Sequence, residues 1–415
     1  MSNLIEEAKT ILERNVKTGM ASIGGIKKAY FYICPAAGKY PHQWLWDSCF
    51  HAIVNCRLNP QWAKQELKTL LSVVDDEGFL PSMIRWQGGK WPEILAWPLF
   101  KGNLSRITQP PVVATAVEEV FKTTQDLEYL KEVLPALERY YLWLGTQRDP
   151  DKDNLVSIIH PWESADDSPA FDRALLGKDE GRPNPAAVYI SFYKLLIKYG
   201  LMGWMTQKIF SSNLFNVENV MFNCIYAQGL RSLGRLSAVV SEMEKARTFD
   251  KKADLVEEAI LRLCYDPEKS LFFDVIHKGD SYERNDVMTI SSIFPIILDT
   301  IPKEVVTKIV ENHLANRFQF WLPYPIPFVS KEEASFNPED NVLLWRGPVW
   351  INTNWFIWKG LLKHGYIELA DELAKKTIAL VEKSGFREFY NPFTGRGEGQ
   401  KNYSWSTLVV EMLNT

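Results

Sequence analysis

From His160 to Asp172 the chain reads His-Pro-Trp-Glu-Ser-Ala-Asp-Asp-Ser-Pro-Ala-Phe-Asp, with carboxylates at Glu163, Asp166, Asp167 and Asp172. A charge run is ordinarily a solvated face, but Trp162 and Phe171 are interleaved with this one. Two adjacent acids, Asp166 and Asp167, repel each other when buried together, and repulsion raises a pKa. A carboxyl group still protonated at neutral pH is what general acid catalysis needs. A further acid, Glu388, sits among aromatics in Arg387-Glu-Phe-Tyr-Asn-Pro-Phe-Thr-Gly-Arg-Gly397. Buried acids are uncommon without a partner, so a structural ion pair with Arg387 or Arg396 competes with a chemical role for Glu388.

Three more segments carry residues unsuited to a helix interior. Tyr40-Pro-His-Gln-Trp-Leu-Trp-Asp47 places two Trp and an Asp together before an apolar run. Asp47 either caps a helix beginning near Ser48 or accepts hydroxyl hydrogen bonds beside a Trp44/Trp46 stacking platform. Gln109, in Ile107-Thr-Gln-Pro-Pro111, either faces a ligand or merely starts a helix. In Trp345-Arg-Gly-Pro-Val-Trp350, Gly347 and Pro348 force a tight backbone that places both Trp rings. Glycoside hydrolysis needs two carboxyl groups flanking the bond to be cut. The acidic loop and the Glu388 segment supply such a pair, far apart in sequence and each in an aromatic setting. The six histidines show no HExxH spacing, and no Walker or GxGxxG loop occurs, which disfavours metal, nucleotide and dinucleotide enzymes. No metal or cofactor is expected. The rival classes are an α-barrel that binds sugar without cutting it and a sugar epimerase using His42, His51 or His160 as proton carriers.

The elements that must position these groups read as helices. Val113, Val117, Val120 and Phe121 share a face after Pro110-Pro111. Leu130, Leu134, Leu137, Tyr141 and Leu144 repeat at spacings of four and three, with Gly145 as the expected stop. Val256, Ile260 and Leu263 continue the pattern, as do Val306, Val310 and His313. Asn354 to Leu362 stops at Gly365, Ala370 to Leu380 stops at Gly385, and Ser404 to Leu413 closes the chain. Period-two alternation is scarce, and Leu271 to Ile276 is the one short strand expected. Between the helices lie Trp-, Pro-, Gly- and Asp-rich loops at 34–47, 85–111, 160–187, 322–350 and 386–403, and loops of this length are usually functional. Helix pairs separated by long loops imply a ring of helices with the loops gathered at one end.

Composition fits this reading. Hydrophobic residues make up 46% and charged residues 24%, so a sizeable core can form in 415 residues. The 15 Trp, 16 Tyr and 22 Phe supply faces on which sugar rings stack. A net charge of −4 with no basic block argues against nucleic acid. No stretch is apolar enough for a membrane span. The first residues lack the pattern of a secretory signal. Five cysteines without a CxxC pair fit a reducing cytoplasm, the expected location. A homo-oligomer is compatible with the sequence.

At these segments the chain resembles glycoside hydrolase family 63, and within it the bacterial branch acting on mannosylglycerate and glucosylglycerate. The matching pieces are Tyr40-x3-Trp44-x-Trp46-Asp47, Thr108-Gln109-Pro110-Pro111, His160-Pro-Trp-Glu-Ser, Trp345-Arg-Gly-Pro-x-Trp350, Glu388-x-Tyr390-Asn-Pro-x-Thr-Gly395 and Tyr403-Ser-Trp405, in the same order over almost the whole chain. The resemblance implies an all-α (α/α)6 barrel spanning 1–415 as a single domain, with loops 85–111 and 160–187 forming a cap. It implies inverting hydrolysis of a small α-glycoside, the alternative being a neutral oligosaccharide cut by an α-glucosidase or trehalase-like enzyme. The family's base, the Glu before Tyr-Asn-Pro, maps to Glu388. Its acid is the Asp of Glu-Ser-Gly-x-Asp-x-Ser-Pro, and here that loop is one residue shorter. Counting back from Ser168-Pro169 selects Asp166, and counting forward from Glu163-Ser164 selects Asp167. The longer anchor favours Asp166. The sugar is then expected at Tyr40, Trp44, Trp46, Asp47, Trp345, Gly347 and Trp350, with Trp162 of the acidic loop beside it. The glycerate carboxylate is expected at Gln109 and, by nearest fit, Arg182 and Tyr189.

Overall fold

A computed structural model describes residues 2–88, 98–177, 181–279 and 281–413. Helix Leu45–Leu58 is buried continuously from Leu45 to Cys56, and a helix buried all round belongs inside. It packs against Val113–Thr124, which packs against Val220–Val239. That helix meets the 3₁₀ turn Phe294–Ile297, which meets Ile351–Lys363. The 3₁₀ helix Ser404–Met412 lies against both Ile351–Lys363 and Leu45–Leu58, so the inner circuit closes on itself.

A second layer covers the first. Pro60–Leu71 packs on Leu45–Leu58, Leu127–Gln147 on Val113–Thr124 and Val220–Val239, Met243–Ala259 on Val220–Val239, Ile367–Ser384 on Ile351–Lys363, and Ser2–Asn15 on Ser404–Met412. These outer helices bury one stripe each. Met243–Ala259 buries Ala246, Phe249, Ala253 and Val256 at spacings of three and four. Side chains of Asn59, Asp126 and Asn219 accept from first-turn backbone N–H groups and start three of the helices.

The expected stop at Gly145 does not occur, since Leu127–Gln147 runs through it. A Cβ there would lie 2.6 Å from the Tyr226 hydroxyl, and a Cβ on Gly229 would collide with Tyr141. Tyr141 and Tyr226 stack at 5.8 Å between the two helices. Gly145 is therefore a packing glycine. The expected strand over Leu271 to Ile276 is two strands in different sheets. Leu271–Phe272 pairs with Tyr265–Asp266, whereas Val275–Lys278 pairs with Ser281–Arg284 and Val217–Glu218. An antiparallel hairpin, Val16–Ile23 with Ile26–Ile33, was not expected from periodicity. Its two-residue turn, Gly24-Gly25, has φ of +58° and +82°, the conformation that glycine adopts most readily. The chain is thus predominantly helical but not purely so.

The ring fixes where chemistry is held. Trp46 and Asp47 lie in the first turn of Leu45–Leu58, Gln109 just precedes Val113–Thr124, Trp350 precedes Ile351–Lys363, and Tyr403 precedes Ser404–Met412. All are at N-terminal ends of inner elements, and all line one cavity. Parts of the two loops expected to form a cap, 89–97 and 178–180, lie outside the described residues.

Candidate active site

The cavity encloses about 400 Å³. A larger groove of about 780 Å³ lies outside the ring, beside the Val16–Ile33 hairpin. Its lysines are already paired, Lys64 with Asp126 and Lys68 with Glu132. The carboxylates brought together in the smaller cavity, Asp47, Asp166, Asp167 and Glu388, make it the candidate site.

The four acids of the 160–172 loop have different fates. Glu163 is buried in a bidentate pair with Arg148, at 2.6 and 2.7 Å, and also accepts from the Ile159 and Thr108 N–H groups. Asp172 makes a second buried bidentate pair, with Arg346, at 2.6 and 2.7 Å. Asp167 accepts from the Leu344 and Trp345 N–H groups with its two oxygens, at 3.1 and 2.8 Å. Asp166 accepts from Ser168 N–H through Oδ1, and its buried Oδ2 has no partner. Three of the acids thus hold the loop and its neighbours in place, and one keeps an uncommitted oxygen. Asp166 and Asp167 both line the cavity. Burial, then Asp167 and Asp274, push the Asp166 carboxyl well above its ordinary value. Burial raises Asp167 to about 6, opposed by the backbone N–H of Trp345 and by Arg346.

Glu388 lies on strand Arg387–Tyr390, which pairs with Gly397–Lys401. It lines the cavity and is 3% exposed. The Tyr40 hydroxyl donates to its Oε1 at 3.0 Å, and Gln400 N–H donates to its Oε2 at 2.9 Å. Burial raises its pKa, opposed by those two donors, Lys39 and Arg387. Neither arginine weighed from the sequence forms an ion pair with it. Arg387 donates to the Gly399 carbonyl, and Arg396 pairs with Glu339 and Glu398. Gly399 has φ +62°, and a Cβ there would come within 2.5 Å of Glu388 Oε2. Only a glycine lets the second strand approach closely enough to donate to this carboxylate.

Aromatic rings form the wall between these acids. Trp345 and Trp350 stack in parallel at 3.5 Å. Trp405 packs edge-on to Trp350 and Trp46, and its Nε1 donates to the Glu388 carbonyl. Tyr40 packs edge-on to Trp44 and Tyr403. Asp47 does not cap its helix, because Trp44 occupies the N-cap position. Its buried Oδ1 has no partner, as is true of the indole N–H groups of Trp44 and Trp350. Burial raises Asp47 to about 7, opposed chiefly by His51. Gln109 also lines the cavity, where its Oε1 accepts from Trp46 N–H at 3.4 Å.

The remaining expected residues divide. Trp162 and Tyr189 line the cavity, and the Tyr189 hydroxyl donates to the Val342 carbonyl. Gly347 stands behind the wall, with φ +152° and packed against Phe336 and Pro338, so it positions Trp345 and Trp350. Arg182 is not in the cavity lining. It is exposed and donates to the Ala334 and Phe336 carbonyls. Sequence reasoning missed Arg85 and Phe100, which do line the cavity. Their signal was weak, since both fall in a loop without periodicity.

His42, His51 and His160 are buried outside the cavity lining. Burial pushes the His160 imidazole down to about 3, and His51 is held between Glu66 and Ser404. An epimerase with histidine proton carriers finds no such groups in this cavity. Among the described residues, groupings with metal-ligand spacing lie elsewhere. Asp149, Asp151 and Asp153 form one, and Asp151, Glu218 and His277 form the other. No described helix is long and apolar enough to cross a membrane.

Residues 40–406 match the family described as mannosylglycerate hydrolase MGH1-like glycoside hydrolase domain. The chain is 31% identical to the mannosylglycerate hydrolase of Thermus thermophilus, over 91% of this chain and 95% of that one. It is 26% identical to the glucosylglycerate hydrolase of Mycolicibacterium hassiacum, over 89% and 91%. A crystal structure of a Thermus thermophilus family 63 mannosylglycerate hydrolase in complex with Tris and D-glycerate superposes with a TM-score of 0.85. That pair shares 29% identity, over 99% of this chain and 100% of the other. With a helical barrel-like fold and paired acids in an aromatic cavity, the chain belongs to the mannosylglycerate hydrolase MGH1-like family and is a glycoside hydrolase.

Proposed function

We propose that this enzyme inverts the anomeric centre of a small α-glycoside, glucosylglycerate or mannosylglycerate, and releases the free sugar and glycerate. Asp166 gives its proton to the bridging oxygen as the bond to the anomeric carbon breaks. Glu388 takes a proton from the water that attacks that carbon from the opposite face. The carrying observation is that Asp166 Oδ2 is the one acidic-loop oxygen left without a partner, in the same cavity as Glu388. The unpartnered Asp47 Oδ1 and the Trp44 and Trp350 N–H groups are suited to the sugar hydroxyls, and Gln109 and Tyr189 to the aglycone. The closed inner circuit supports a single (α/α)6 barrel.

The test combines three variants with product stereochemistry. Glu388→Gln should abolish turnover and still bind sugar. Asp166→Asn should fall about 10²- to 10⁴-fold in kcat, and Asp167→Asn by less. NMR of the first product should show the β-anomer. Near-normal hydrolysis by Glu388→Gln, or an α-anomer formed first, would end this assignment.

A further inference from the structure

The aromatic platform of the cavity and the acidic loop beside it are held by different means. Trp345 stacks on Trp350 and also packs against Trp46, Trp405 and Phe328, so rings fix it on several sides. The acidic loop sends its own rings elsewhere. Trp162 packs against Phe192 and Tyr193, and Phe171 against Phe215. What joins the loop to the platform is polar, and it engages three consecutive platform residues. The Leu344 and Trp345 N–H groups donate to the two oxygens of Asp167. Arg346 donates through Nη1 and Nη2 to the two oxygens of Asp172, with both partners 2% exposed. At the other end of the loop, Glu163 makes the matching pair with Arg148, at the C-terminus of helix Leu127–Gln147. Asp166 directly precedes the Asp167 anchor, and its Oδ1 accepts from the Ser168 N–H that directly follows it. Where the loop is pinned therefore decides where the Asp166 carboxyl stands.

We infer that Arg346 and Asp172 are positioning residues for proton transfer: their ion pair sets the acidic loop at the height over the sugar platform from which Asp166 reaches the bridging oxygen. This rests on the reading of Asp166 as the acid. Neither side chain lines the cavity, so each acts through the loop and not on the substrate. A buried ion pair is a poor device for stability alone, because the desolvation of its two charges roughly offsets their attraction. A bidentate guanidinium–carboxylate fork does fix both distance and plane. A displacement of about 1 Å at an acid costs on the order of 10²-fold in rate. The sugar meanwhile keeps its rings and its hydroxyl acceptors, which the barrel holds independently. The loss therefore falls on kcat and not on KM, and only where the leaving group needs a proton.

Glucosylglycerate needs that proton and α-glucosyl fluoride does not, so the two form the matched pair (or their mannosyl counterparts, if wild type cuts those faster). Asp172→Asn keeps the shape of the side chain but offers one acceptor in place of two. It should lower kcat on glucosylglycerate about 10- to 100-fold, with KM and the rate on the fluoride little changed. Arg346→Lys should lose less, since an ammonium keeps the charge without the fork. The double variant Asp172→Leu/Arg346→Met leaves no buried charge unpaired and should fold, yet its rate loss should again be confined to glucosylglycerate. Glucose should raise the Tm of all three as it does for wild type. Equal loss on the two substrates, a full rate on glucosylglycerate in the folded double variant, or failure of all three to fold reduces the pair to a support of the fold and overturns the inference. Should Asp166→Asn itself lose as much on the fluoride as on glucosylglycerate, the acid assignment falls and takes this inference with it. A fluoride-sparing Asp166→Asn beside Asp172 and Arg346 variants that cut both substrates normally sinks the positioning role alone.

Discussion

At the scale of single residues, the proposed acid and base reach opposite working states in one environment. Burial raises both, and hydrogen-bond donors offset both in part, but Glu388 is lowered further by Lys39 and Arg387, whereas Asp166 has Asp167 and Asp274 pushing it up. The rate profile should therefore show an acid limb set by Glu388 above the ordinary glutamate range and an alkaline limb set by Asp166 higher still. Glu388 must be ionised and Asp166 protonated for turnover. A glycosyl fluoride leaves without protonation, so Asp166→Asn should hydrolyse an α-glycosyl fluoride far better than its natural substrate and lose its alkaline limb. Glu388→Gln should fail on both substrates. A comparable loss for Asp166→Asn on the two substrates would remove it from the acid role. The proposed base, Glu388, was legible as a candidate because its motif is intact. The proposed acid was ambiguous because a one-residue shortening leaves two counts, and the hydrogen bonds that occupy both Asp167 oxygens favour Asp166. Arg182 looked right by proximity to the acidic loop, a relation in sequence that its exposed position in space does not keep.

At the scale of elements, periodicity revealed helices with one buried stripe, such as Leu127–Gln147, but not Val220–Val239, which is buried nearly all round and so leaves no three- and four-residue pattern. It misjudged glycine. Gly145 reads as a stop, yet it and Gly229 each admit a tyrosine from the facing helix. This makes a prediction that a helix-propensity argument reverses. Alanine for glycine in mid-helix ordinarily stabilises by about 0.5–1 kcal/mol. Gly229→Ala should instead destabilise by about 1–3 kcal/mol, as overpacking does, because Tyr141 is buried and stacked on Tyr226 with no room to retreat. Thermal denaturation reads the sign. A raised Tm would mean that the interlock between Leu127–Gln147 and Val220–Val239 is looser than described. The Val16–Ile33 hairpin escaped notice for a different reason. Its faces are unevenly buried, so the alternation is blurred and only the Gly24-Gly25 turn gives a local signal.

At the scale of the whole molecule, the ring gathers the N-terminal ends of its inner elements around a cavity whose acids are held in a folded state that disfavours their charge. Asp47 rises from 3.8 to about 7 and Asp167 to about 6, both chiefly through burial, and the buried Asp274, which repels the charge of Asp166, also reaches about 6. A carboxyl whose folded pKa exceeds its unfolded value binds its proton more tightly when folded. Its contribution to stability is complete below the unfolded value, near pH 4, and is lost as pH rises through the folded value, near 6 to 7. The protein should therefore lose Tm steadily from pH 4 to pH 8 even though no interface or metal changes. Asp47 alone accounts for up to about 4 kcal/mol of this at 1.36 kcal/mol per unit. Asp47→Asn removes that titration, so its Tm should gain on wild type as pH increases, while sugar binding weakens. Parallel Tm curves for the two proteins would mean that Asp47 is charged at no cost in the folded state. On the proposed reading, a cavity acid that lowers stability above about pH 7 is retained for what it binds, because a sugar hydroxyl donating to Asp47 Oδ1 would supply the partner that the fold leaves out.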